Sequence, residues 1–238
     1  MVRIKLRDVL EEEAVCERTA IDGLYWIKNS YLITSEKSRI ILPQADHSTF
    51  TIVYHGEDFS SSPHGGYEVY GIHLGQDDVL TFLSMDGREM RGHFVDCRAG
   101  SPTLHTDVEL TFEGDPHRAL VIERGIAHIF DNLANMVTLN QPRIYFDTKN
   151  PDFDPYIDVM NVPRSTPPDE FPVVQVNRYR APRWLVNLGM KYQRIQLRKG
   201  MGAAHPFRFK VGAYRITLTP REYKGLMSAY SRSNECED

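Results

Sequence analysis

The sequence predicts a mainly β protein built as a jelly roll, with a short helix before it and extra strands after it. Three observations carry this expectation. Between residues 49 and 142 the chain delivers short runs rich in β-branched and aromatic residues, each closed by Gly, Pro, Asn or Asp. The runs recur at near-regular spacing. No helical pattern of any length separates them, which favours an antiparallel sandwich or barrel over a βαβ arrangement.

Taken in order, "LRDVLEEEAV" predicts a short helix, because Leu6, Val9, Leu10 and Val15 share one face while the acids face water. The strands follow as "TFTIVYHG", "YEVYGIHLG", "DVLTFLSM", "GHFVDC", "DVELTFEG", "RALVIERG" and "NMVTLNQP". Residues 146–172 break the texture, with six prolines and five aspartates among 27 residues, and read as an ordered but irregular excursion, a lid or an oligomer arm. Beyond it "FRFKVGAYRITLTP" alternates like a strand, and "SRSNECED" reads as a frayed acidic tail. The expected organisation is a leading segment over 1–45, a jelly-roll core over 46–146, and the excursion with a C-terminal extension over 147–238.

A formal net charge of -4 gives no electrostatic footprint for nucleic acid. No apolar run approaches the roughly 20 residues that cross a bilayer, and charges stand where a signal peptide needs its apolar segment. No membrane role and a cytoplasmic location are therefore expected. Cys16, Cys97 and Cys236 are too far apart to suggest a disulfide framework or a thiolate metal site.

Nine histidines are present, and most sit among turn residues, where exposure is the default. His73 in "YGIHLG" and His128 in "IERGIAHIF" differ, since each lies in an apolar run beside small residues. A buried imidazole oriented by a carboxylate can move a proton at neutral pH, although a satisfied structural histidine is the commoner outcome. Metal binding is the other option for such a pair. Neither H-x-H nor H-E-x-x-H occurs, so a metal site would need His73, His128 and a carboxylate from separate strands. "GYEVYG" lacks the glycine spacing of a dinucleotide loop, and no G-x-S-x-G motif is present.

In order and spacing, "YGIHLG", "VDCRAGSPT" and "ALVIERGIAHIF" resemble the dTDP-4-dehydrorhamnose 3,5-epimerase family of metal-independent cupins, over about residues 50 to 145. That resemblance implies a cupin-type jelly-roll barrel, a homodimer, and epimerisation beside the ketone of a nucleotide-linked 4-keto-6-deoxy sugar, with no cofactor. It carries the catalytic base to His73 and its pocket partner to His128, and it places Asp96 and Arg98 on the substrate side. Tyr70 stands where the family has arginine, and Leu80 where it has lysine. The acid tyrosine would fall near Gln141, so Tyr145 is the nearest candidate, and Asp169 is the match for the histidine-orienting aspartate. Arg124 and Arg143 are candidates to replace the missing positive charge. Two other readings stand beside this one: a non-catalytic cupin-fold binding or assembly module, and a metal-dependent cupin enzyme.

Overall fold

The computed structural model describes residues 15–35, 38–42, 51–56, 65–84, 87–146, 159–181, 186, 207–211 and 214–218. The helix expected at Leu6 and the C-terminal tail lie outside them. In chain order the strands are β1 (Val15–Arg18), β2 (Leu24–Lys28), β3 (Ser30–Ser35), β4 (Ser38–Leu42), β5 (Thr51–Tyr54), β6 (Val69–His73), β7 (Gln76–Leu83), β8 (Glu89–Asp96) and β9 (Asp107–Glu113). They continue as β10 (Arg118–Ile122), β11 (Ile126–Asp131), β12 (Val137–Asn140), β13 (Arg143–Phe146), β14 (Val159–Pro163), β15 (Tyr179–Arg180), β16 (Phe207–Val211) and β17 (Tyr214–Leu218). Each of the seven runs read as strands is one.

Two antiparallel sheets make the body. The larger has the order β1-β2-β10-β7-β12-β5, with β13 pairing to β7 and β15 to β13; the smaller has the order β14-β6-β11-β8-β9. Among the described residues the two sheets do not join into a closed barrel, so the expected barrel is an open jelly-roll sandwich. β16 pairs with β17 and β3 with β4 as separate two-stranded units.

Side-chain alternation explains which strands are covered once and which twice. β9 reads Asp-Val-Glu-Leu-Thr-Phe-Glu, with the acids and Thr111 outward and Val108, Leu110 and Phe112 inward, as a strand with one wet face should. β7 and β10 are instead buried almost end to end. Their inward residues join Trp26, Phe94 and Phe130 in the main core, where the Trp26 and Phe112 rings meet edge to face at 5.1 Å. Their outward residues Val79, Ala119 and Val121 form a second apolar layer with Ile27.

The smaller sheet is also covered on its outer face, by Phe171 and Val174 packed over Ile72, Val95 and Ala127. Part of the excursion expected to act as lid or arm is thus sheet and packing: β14 pairs with β6 from Val159↔His73 to Pro163↔Val69. Its residues 147–158 lie outside the described set.

Candidate active site

The chain passes from the smaller sheet to the larger through Leu74 and Gly75 alone, between β6 and β7. His73 closes β6 and Asp78 lies near the start of β7, so this short link brings an imidazole and a carboxylate together at one corner of the sandwich. The alternation of β7 decides the rest. Asp78, Leu80 and Phe82 face inward, and Asp77, Val79 and Thr81 face outward. On the neighbouring strand His128 pairs with Gly71, which has no side chain, and the two imidazole centroids stand 5.6 Å apart.

Both rings converge on one oxygen. His73 Nε2 lies 3.4 Å and His128 Nε2 3.3 Å from Asp78 Oδ2. The other carboxylate oxygen, Oδ1, accepts hydrogen bonds from Gln76 Nε2 at 2.6 Å and Asn140 Nδ2 at 2.8 Å. Burial pushes the Asp78 carboxyl up, but His73 and His128, aided by the two amides, outweigh it and hold Asp78 below the usual carboxylate range. Burial pushes His128 the opposite way, toward the neutral ring, against the attraction of Asp78. Its Nδ1 donates to the Ile126 carbonyl at 3.2 Å.

These three residues line a cavity of about 320 Å³ between the sheets. Its walls are otherwise mostly apolar, with Val53, Leu80 and Phe82 from the larger sheet and Val69 and Phe130 from the smaller. At a distance from the triad it holds a second polar group. His55 is buried, with Nδ1 3.5 Å from the Tyr67 hydroxyl and Nε2 3.5 Å from Thr138 Oγ1. Burial lowers the pKa of His55 and raises that of Tyr67. Tyr67, Val69 and Asn161 are exposed and mark where the cavity opens.

The other residues singled out from the sequence lie elsewhere. Asp169 sits exposed in the 3-10 turn Pro168–Glu170, and the carboxylate that meets the two histidines is Asp78. Tyr145 is on the outer face of the larger sheet, where the Arg124 guanidinium lies 3.6 Å from its ring centroid. Arg124 is bound there by Asp77, through Nη1 to Oδ1 at 2.8 Å and its backbone N–H at 2.9 Å. Arg143 precedes Tyr145 by two residues on β13 and shares its face. Tyr70 meets Phe171 edge to face at 5.1 Å, outside the cavity because it alternates with Val69 and Gly71.

Asp96 and Arg98 form a knot of their own. Asp96 is fully buried and accepts from Arg98 Nε and Nη2 at 2.9 Å each, Ser101 Oγ at 2.5 Å and Thr103 Oγ1 at 2.7 Å. Arg98 also donates to Glu123 Oε2 at 2.9 Å and to the Asp22 carbonyl. Neither residue lines the cavity. "VDCRAGSPT" therefore closes a turn on itself, with every oxygen of Asp96 engaged.

No protein-family model matches the chain, and no curated protein matches it in sequence. The solved structures it resembles include dTDP-sugar epimerases and isomerases. The RmlC epimerase of Mycobacterium tuberculosis is 14% identical with a TM-score of 0.45, the match covering 68% of this chain and 84% of that one. A dTDP-6-deoxy-D-glucose-3,5-epimerase of Legionella pneumophila, solved with dTDP-4-keto-L-rhamnose, is 17% identical over 70% of this chain and 87% of its own, with a TM-score of 0.44. A 3,4-ketoisomerase of Thermoanaerobacterium thermosaccharolyticum, solved with TDP-4-keto-6-deoxyglucose, is 15% identical over 52% and 83%, with a TM-score of 0.38. A likeness at this level assigns no role to any residue.

Asp78, His55 and Tyr67 were not legible as site residues. For Asp78 a signal existed: it stands two residues before Leu80 and four before Phe82, on the parity of the apolar face. A charged residue at a core-facing position of a buried strand marks a group held there by partners. His55, in "VYHGED", has turn chemistry beside it and no such signal.

Proposed function

We propose that this protein is an isomerase that moves a proton on the carbon beside the ketone of a nucleotide-linked 4-keto-6-deoxy sugar, without a cofactor in that step. The observation that carries the reading is the buried carboxylate of Asp78 in reach of two imidazoles on a cavity wall. In this reading Asp78 Oδ2 accepts from His73 Nε2–H, which leaves the His73 Nδ1 lone pair free as the base. The carboxylate then stabilises the imidazolium that forms as the C–H bond breaks and the electrons pass into the enolate. The tyrosine of the cavity wall is Tyr67, so the proton-donor role expected of Tyr145 passes to Tyr67. Among the described residues no lysine or arginine lines the cavity, which supports a pose with the sugar inside and the charged diphosphate outside the opening. A homodimer is expected with this reading.

The test is solvent deuterium incorporation into a panel of nucleotide-linked 4-keto-6-deoxy sugars, followed by NMR. Exchange at C3 or C5 is expected from the wild type, with a loss of roughly 100-fold or more in His73→Ala, the scale of general base catalysis. The mostly apolar lining among the described residues also favours a second reading, a binding module for an uncharged small molecule. Saturable ligand binding without exchange, from folded protein, would establish that reading in place of the first.

A further inference from the structure

The hydrogen bond from His128 Nδ1 to the Ile126 carbonyl fixes the position of one hydrogen, because a carbonyl oxygen only accepts. Nε2 is therefore the ring nitrogen left to face Asp78 Oδ2, 3.3 Å away. A ring nitrogen and a carboxylate oxygen at this distance are held by a positive centre between them, a proton on the imidazole or a metal ion. The same oxygen faces a second imidazole nitrogen, His73 Nε2, at 3.4 Å, while the amides of Gln76 and Asn140 occupy the other oxygen. All three donor atoms lie within 4.8 Å of one another.

We propose that His73, Asp78 and His128 form a binding site for one divalent transition-metal ion, with two imidazole nitrogens and one carboxylate oxygen as ligands. The spacing fits. Metal–ligand bonds of about 2.0–2.2 Å place the vertices of a tetrahedron about 3.3–3.6 Å apart, the range in which both nitrogen–oxygen distances fall. The ligands are also oriented from behind, His128 by the Ile126 carbonyl and Asp78 by Gln76 and Asn140, as outer-shell bonds orient metal ligands. All three residues line the cavity, so the fourth position opens into it. Two nitrogens in the donor set select zinc, cobalt, nickel or ferrous iron over magnesium and calcium, which take oxygen ligands.

The inference does not rest on the sugar reaction. It adds a competitor to it, since a metal ion held by His73 Nε2 displaces the proton that the base reading assigns to that atom.

The experiment is a titration of metal-stripped, full-length protein with Co2+, followed by visible absorption and calorimetry. One ion per chain is expected, with the d–d bands of a four-coordinate site, displaced by Zn2+ and indifferent to Mg2+. Asp78→Asn and His128→Ala should each weaken binding by about 100-fold or more, and Asn140→Ala by about 10- to 100-fold through the outer shell. His117→Ala should leave the stoichiometry unchanged. X-ray absorption of the zinc-loaded wild type should show two imidazole ligands, which keeps the test valid if a variant fails to fold. No binding, binding that survives Asp78→Asn in folded protein, or a spectrum without imidazole scattering would overturn the proposal. Deuterium exchange by the stripped protein is read separately: a bound ion with no exchange sinks the sugar reading alone, and exchange with no ion sinks this proposal alone.

Discussion

At the scale of single residues, Asp78 and Asp96 are two buried carboxylates with opposite assignments. Asp96 spends both oxygens on Arg98, Ser101 and Thr103, and it does not line the cavity of the histidines. Asp96→Ala leaves Arg98 without its main partner, and a loss of about 3–5 kcal/mol is expected from breaking such a buried pair, read as a lower denaturant midpoint. Asp78 keeps one oxygen for the histidines. Asp78→Asn preserves its shape but turns one acceptor oxygen into a donor and removes the charge, so deuterium exchange should fall by roughly 100-fold while the circular dichroism spectrum is retained. An Asp78→Asn variant that exchanges at the wild-type rate would remove the carboxylate from the mechanism. The contrast also explains what could be read in advance. The phrase around Asp96 is distinctive because a self-closing turn needs a fixed set of residues, whereas Asp78 is marked only by sharing the parity of the apolar residues that follow it.

At the scale of elements, two junctions fasten the histidine-bearing strands. The first is the turn before β11, where Gly125 donates to the His73 carbonyl at 2.7 Å. Gly125 adopts φ +83°, and a Cβ there would stand 2.5 Å from Arg98 Cγ and 2.6 Å from Val176 Cγ1. Gly125→Ala should therefore lower the melting temperature by several degrees and loosen β6 from β11, measurable as faster amide exchange at Gly125. The second joins the end of β11 to the residue after β14. Arg164 grips both oxygens of Asp131, at 2.6 and 2.5 Å, and His93 Nε2 adds a contact at 3.2 Å. Burial pushes the Asp131 carboxyl up, but Arg164 and His93 outweigh it and hold it below the usual range. A carboxyl depressed on folding contributes stability above its unfolded pKa of about 4 and loses it as pH falls toward the lower folded value. Acid unfolding followed by fluorescence should show Arg164→Ala less sensitive than the wild type to pH in the window just below 4.

At the scale of the whole molecule, the sheet order leaves β5 at one edge of the larger sheet among the described residues, with Ile52 61% and Tyr54 65% exposed. An apolar edge of this kind favours a partner, and light scattering should give twice the chain mass; a monomer would count against the expected homodimer. The strands were legible because β-branched runs and turn residues are local signals. The burial of β7 on both faces was not, since it depends on packing from distant parts of the chain. Nor were the positions of Tyr145, Arg124 and Arg143 on the outer face, because which way a strand turns its residues is set by pairing. That dependence meets in the dipeptide Asp77-Asp78. One aspartate holds Arg124 outside and its neighbour holds two histidines inside. The pair acts as a keyed joint: shifting the strand by a single step would exchange two identical side chains while leaving Leu80 and Phe82 on the wrong side, so identical chemistry at adjacent positions protects nothing against a slipped register. Insertions or deletions in the Leu74–Gly75 link are thus barred far more strictly than substitutions within it.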